Sequence, residues 1–393
     1  MRRLAALAVL LVLCVPSVTF GGNDAEDATE TSDAIEAQMD AVEWERLDAV
    51  LSALPEETRA LWGGAGVREL AALFLPEGET DGDVLDTVRA GLKTAARKEL
   101  RRMAGTFASL CAVGLIGALI GALTNDEKGG ASEAGQFVCR CFALTLILSV
   151  FAAAAGTARD CVRQLADGLS VTVPILTTLL TAIGAAGTVG MLHPLSALLT
   201  GGIADTIAGV LVPLAAAGGV IGLIDRVDAH IRLKELSDNI RNGIKWGIGL
   251  LTAVYAGFAA VFGMGASARD GIAIRTARYA AGNIFPATAG LVGGTFDTVI
   301  GSVLLVKNAL GITGMLLGVG IALAPLMRIA STIVLFRFTA SVTEPVGEAG
   351  MVQMLKSAAD TLSVLLSLCA CCAGMYLITL GVVLGLGGTV SLL

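Results

Sequence analysis

Charge is scarce in this chain. Only 16% of its 393 residues are Asp, Glu, Lys or Arg, while 55% are hydrophobic, and the mean hydropathy is +0.77. A soluble globular domain carries about 25% charged and 45–50% apolar residues, so an ordinary soluble enzyme is excluded. Histidine is nearly missing: His193 and His230 are the two, and each stands alone. No H-E-x-x-H pair, Walker A loop or dinucleotide glycine fingerprint in a strand–turn–helix setting occurs. No basic tract is present, and the net charge is −7, which argues against nucleic acid as a partner. Cysteine is missing from residues 24–104, the one sizeable polar stretch, so no disulfide framework of the small secreted kind is indicated.

What the chain does have is glycine and long apolar blocks. Its 49 glycines exceed the usual ~7% and suit closely packed transmembrane helices. Residues 1–22 read as a secretory signal, with Arg2 and Arg3 ahead of an apolar core from Leu4 to Val15. That core is shorter than the ~20 residues a membrane span needs. Residues 23–104 read as an acidic, helical extramembrane region. Residues 105–393 read as a polytopic transmembrane domain. Its apolar blocks are 105–123, 141–157, 169–192, 203–224, 246–264, 284–306, 309–336 and 361–389. The expected fold is therefore all-α, a membrane protein with about six to eight spans, the block at 284–306 being weaker because Pro286 and Asp297 fall within it.

Two orientation signals disagree. The leader sends residues 24–104 out of the cytoplasm. The flanks 92–104, 158–168 and 225–245 together hold twelve Lys and Arg, and the alternate flanks hold five, which under the positive-inside rule places the first set in the cytoplasm.

Several features invite a functional reading. Residues 225–245 form an amphipathic helix with Leu233, Leu236, Ile240 and Ile244 on its apolar face. Leu236 and Ile240 are the candidate contacts for a partner or the membrane interface. Ionisable residues within or beside apolar blocks are expensive and need a reason. Asp297 and Arg328 lie deepest, Asp205 sits near the start of its block, and Lys307 and Arg337 read more simply as helix-end residues reaching for the interface. The glycine pairs Gly117/Gly121, Gly290/Gly294, Gly314/Gly318 and Gly381/Gly385 each put two glycines on one helix face, read first as packing within the chain. Cys139 and Cys141, and Cys369, Cys371 and Cys372, read as small apolar packing residues and not as metal ligands.

The central third carries a more specific signal. LKELSDNIRNGIKWGIGLL from Leu233 is a basic helix leading into a span. ARDGIAIRTARYAAGNIFP follows, with Asp270, Gly271, Arg275, Thr276, Ala277, Arg278, Tyr279, Asn283, Phe285 and Pro286. A third run contains Gly293, Gly294, Asp297, Thr298, Val299, Gly301, Lys307, Asn308, Ala309 and Gly311. These runs resemble the stage III sporulation protein AE family of endospore-forming bacteria. The resemblance implies a multi-pass protein of the mother-cell membrane around the forespore. It implies a subunit of a channel or secretion-like complex that sustains the forespore and its late gene expression. Implied partners are a cytoplasmic ATPase, ring-forming subunits and stage II sporulation protein Q across the intermembrane space; the resemblance transfers no active-site residue, and no cofactor and no enzymatic activity are expected. Asp270, Arg275, Arg278, Asp297, Lys307 and Arg328 are the candidate functional polar residues. A stand-alone secondary transporter is the alternative, for which the prolines at 174, 286 and 325 and the buried charges would serve.

Overall fold

The computed structural model describes residues 35–40, 42–53, 59, 66–72, 74, 83–123, 130–182, 186–225, 233–284, 289–345 and 349–385. The leader at 1–22 and the C-terminal end of the last apolar block lie outside them. Among the described residues all regular structure is helical. Residues 35–40 are helical, and two short helices follow, α1 (Trp44–Ala53) and α2 (Val67–Ala72). The long helices α3 (Asp83–Leu123) and α4 (Gly130–Ala182) follow. Next comes an interrupted stretch: α5 (Ala186–Ala197), a π-helix (Leu198–Ile203), one α turn (Ala204–Thr206), a second π-helix (Ile207–Leu211) and α6 (Val212–Ile224). Then come α7 (Lys234–Ile284), α8 (Ala289–Thr343) and α9 (Ala349–Gly385).

Among the described residues, six helical stretches are long and apolar enough to cross a membrane: Arg101–Leu119, Phe137–Ala182, Leu192–Ile224, Lys234–Val261, Gly301–Thr343 and Gly350–Gly385. The chain is an all-α polytopic membrane protein, at the lower end of the expected count. The difference from eight apolar blocks has a local cause. Blocks 141–157 and 169–192 join because α4 runs unbroken through residues 158–168. No Gly-Pro or Asn-Gly breaker interrupts them, and Asp160, Arg163 and Asp167 fall three and four apart on one exposed face while Cys161, Val162 and Leu165 are buried on the other. Blocks 284–306 and 309–336 join in the same way within α8. With 158–168 inside a helix, the apparent excess of basic residues on one set of flanks no longer follows, because that count treated 158–168 as a loop.

Cross-contacts fix the helix directions. Lys307 meets Val383, Tyr376 meets Gly314, and Arg337 meets Asp360, so α8 and α9 run antiparallel along their length. Cys369 reaches Ala158 and Arg241 reaches Thr361, while Thr252 reaches Cys371, so α4 and α7 run parallel to α9. Ile240 and Ser237 lie against Gly218 and Gly222, which makes α6 antiparallel to α7. The bundle is thus up-and-down. The spans of α8, α9 and the interrupted stretch Leu192–Ile224 are the most buried, at 56%, 50% and 50%, against 17% for those of α3 and α7 at the periphery.

Glycine allows the central contact. A Cβ at Gly318 would overlap the Tyr376 ring, and one at Gly311 would stand 2.5 Å from Leu384. Tyr376 is 1% exposed and its hydroxyl donates to the Gly314 carbonyl at 3.0 Å. The Gly314/Gly318 pair is therefore consumed inside the chain, as the sequence reading expected, whereas Gly381 and Gly385 face open space. Tyr255, fully buried, joins α7 to α9 by donating to the Met375 carbonyl at 2.9 Å and bonding the Thr379 hydroxyl. The N-terminal helices dock on the bundle, with Leu47 and Val67 beside Thr172, Ile175, Leu310 and Leu317. Helix α3 begins at Asp83, so it carries the basic segment around residues 93–102 straight into the first span.

Candidate functional site

Lys307 has no helix end of its own, because α8 continues on both sides of it. It is 1% exposed, and its Nζ donates to the carbonyls of Val383 and Leu384 at 3.3 Å each. These belong to the last turn of α9, whose final carbonyls have no partner within the helix. The cation also faces the negative end of that helix dipole. Lys307 thus caps the last helix from a neighbouring one and does not reach for the interface, as a helix-end lysine would.

Arg328 lines a cavity of about 250 Å³ between α3, α4 and α8. Glu99, Arg102 and Thr106 enter from α3, Ser149 and Thr157 from α4, and Thr332 from α8. The Arg328 carbonyl accepts hydrogen bonds from Ser331 and Thr332 at 2.8 Å each. Met103, Val150, Ala153, Ala154 and Leu335 complete the wall, so the cavity is mixed, with guanidinium groups, hydroxyls and one carboxylate set among apolar side chains. A second hollow, of about 290 Å³, opens where α6 turns into α7 beside α9 and is lined by Asp225, Lys234, Asp238, Arg241, Lys356 and Asp360. The Asp225 carboxylate accepts the Leu233 N–H at 2.6 Å, just ahead of α7. Arg241 donates to the Thr361 hydroxyl at 3.3 Å. Arg337 pairs with Asp360 at 3.3 Å and Lys356 with Glu344 at 3.1 Å, joining α8 to α9 at this end of the bundle.

The amphipathic segment needs one correction. Residues 226–232 lie outside the described residues, and the helix proper begins at Lys234. Ile240 does not face outward: it is half-buried, 2.7 Å from where a Cβ of Gly218 would stand. Ile244 is 1% exposed. Gly218 and Gly222 let α7 settle onto α6, so most of the apolar stripe is used within the chain. Leu236, 49% exposed, is the member left for a partner or the membrane. Asp270, Arg275, Arg278 and Asp297 sit on α7 and α8 by backbone position, and their side chains lie outside the described ones.

Of the expected polar residues, the two whose side chains are described, Lys307 and Arg328, do not meet. Lys307 and Arg328 are 21 positions apart on one helix, separated by about 30 Å at 1.5 Å per residue. Among the described residues no group of three or more His, Cys, Asp or Glu is placed to hold a metal ion. Two features escaped the sequence reading. One is the exposed charged stripe on α4, for which the three- and four-residue spacing of Asp160, Arg163 and Asp167 was the available signal. The other is the pair of π-helices flanking Asp205, which no local motif announces, although π segments concentrate at functional places.

Comparison with known proteins joins these observations. The family model for stage III sporulation protein AE matches residues 67–387, from the docked helix α2 through the end of α9. Stage III sporulation protein AE of Bacillus subtilis (strain 168) is 23% identical over 261 residues. That alignment covers 66% of this chain and 65% of the relative, so the chain spans just under two thirds of the relative's length. No solved structure matches. With a family match that runs through all six apolar helices, the chain belongs to the stage III sporulation protein AE family.

Proposed function

We propose that this chain is the polytopic membrane subunit of a sporulation-specific, secretion-like channel complex linking mother cell and forespore. In this reading it sits in the mother-cell membrane around the forespore, with residues 23–104 in the intermembrane space. It supports the forespore and its late gene expression by forming part of a passage and not by catalysis. The observation that carries the reading is the coincidence of the family match with an up-and-down bundle of six apolar helices among the described residues. The partners are an ATPase that supplies energy, ring-forming subunits and stage II sporulation protein Q. Affinity isolation of the full chain from membranes of sporulating cells tests this. Recovery of those subunits is the expected result, and recovery of the chain alone overturns it.

The two π-helices around Asp205 favour a second reading, a stand-alone secondary transporter, because π segments within helices concentrate at functional sites. Solute uptake by the purified chain in liposomes would support that reading against the first.

A further inference from the structure

Helix α9 serves as a ruler for depth in the bundle. Thr252 and Tyr255 of α7 bond Cys371 and Met375 of α9. Cys369 of α9 bonds the Ala158 carbonyl of α4 at 3.7 Å, and Gly168 of α4 stands against Tyr376. Residues 158–168 of α4 and 250–261 of α7 are therefore at one level. At that level α7 turns Leu250, Val254, Phe258 and Val261 outward, 42–66% exposed. This is a face for hydrocarbon. At the same level α4 turns out Asp160, Arg163 and Asp167, all exposed, and its stripe continues through Ser170 and Thr178.

The interrupted stretch extends the charged face. Arg159 donates from Nε to the Ala208 carbonyl at 3.2 Å and so holds the second π-helix against α4. Asp205, between the two π-helices, is exposed, and Gly201, Gly202 and Gly209 are exposed around it with open space where a Cβ would stand at Gly201 and Gly209. Asp160, Arg163, Asp167 and Asp205 form no ion pair among the described residues. A charge turned to hydrocarbon is strongly unfavourable, and charged residues at that depth face protein or water-filled space.

We propose that the face formed by α4 and the π-helical stretch, carrying Asp160, Arg163, Asp167 and Asp205, is wetted at the depth where α7 meets lipid, and is one wall of an aqueous passage. The wall is open, unpaired and of mixed sign, so water solvates it. It rests on the reading of the chain as the membrane part of a conduit. Co-isolation tests the partners and labelling tests the wall, so either can fail while the other stands.

The test is single-cysteine labelling of the full chain in native membranes with a cationic, membrane-impermeant methanethiosulfonate. Asp160→Cys, Asp167→Cys and Asp205→Cys are compared with Val254→Cys and Phe258→Cys, and the unsubstituted chain gives the background of its own thiols. Only the solvated thiolate reacts, so the first three should label at least ~10-fold faster than the last two. Ser170→Cys and Gly209→Cys, which replace exposed and unobstructed positions, serve where an Asp variant does not accumulate. If all positions stay unlabelled, the face is covered by protein and the proposal fails. If Val254→Cys and Phe258→Cys label as fast as the rest, this level is not in lipid, and the proposal fails as well.

Discussion

Replacing Gly318 by alanine should loosen the centre of the bundle far more than its size suggests. In an exposed helix the change gains up to about 1 kcal/mol, because glycine is the poorer helix former. Here the new methyl has no room: it would overlap the ring of Tyr376, which is 1% exposed and held by its hydrogen bond to the Gly314 carbonyl at 3.0 Å. The ring cannot swing away without losing that bond, worth about 1 kcal/mol net. Overpacking a filled core costs about 1–3 kcal/mol more. The two penalties together outweigh the propensity gain, and the net loss should be about 1–3 kcal/mol, or roughly 5- to 150-fold in the folded ratio. Gly381→Ala is the control, since nothing lies within 4 Å of a Cβ there. It should be neutral or slightly stabilising. Unfolding of the purified proteins in detergent, followed by the loss of helical circular dichroism, gives both values. The double change Gly318→Ala with Tyr376→Leu should cost less than the sum of the single changes, because the methyl then meets a smaller side chain. Equal stability of Gly318→Ala and Gly381→Ala would refute the close approach of α8 and α9.

Further outcomes can be checked in the same way. Lys307→Met should cost about 1 kcal/mol or less, as lost hydrogen bonds to the α9 carbonyls are offset by relief from burying a cation; Lys307→Ala should cost about 2–4 kcal/mol through the added cavity, and equal losses in detergent unfolding would put the whole effect in the charge. Ile240→Asp should destabilise the chain because the residue lies against Gly218, whereas Leu236→Asp should keep normal stability and remove a partner subunit from the affinity-isolated complex; an unchanged set of subunits would leave Leu236 without a docking role. Asp297→Ala should lower spore counts at near-normal protein level, while joint replacement of Cys369, Cys371 and Cys372 by alanine should be tolerated, and the opposite ranking would refute this choice of residues. A reporter active only in the cytoplasm, fused after residue 80, should be silent; activity there would place residues 23–104 on the cytoplasmic side.

Composition and the length of the apolar blocks were sufficient to establish that this is a helical membrane protein, because continuous apolar runs of about 20 residues satisfy their backbone in lipid as helices, whereas a barrel would show short alternating segments. The motif runs around Asp270 and Asp297 were sufficient to point to the family, and the family match covers them. The number of spans was not legible to better than six to eight. Whether residues 158–168 end a helix or continue it depends on what covers Cys161, Val162 and Leu165, and only the neighbouring helices supply that cover. The same holds for Lys307: in sequence it is a charge between two apolar blocks, and in space it is a cap for α9, 76 residues away. Ile240 repeats the lesson on a surface helix. Periodicity identified its apolar face, but whether that face meets a partner or the chain's own α6 was decided by the glycines at 218 and 222, which allow the closer approach. Local spacing determines which residues share a helix face, and only tertiary packing decides what that face touches.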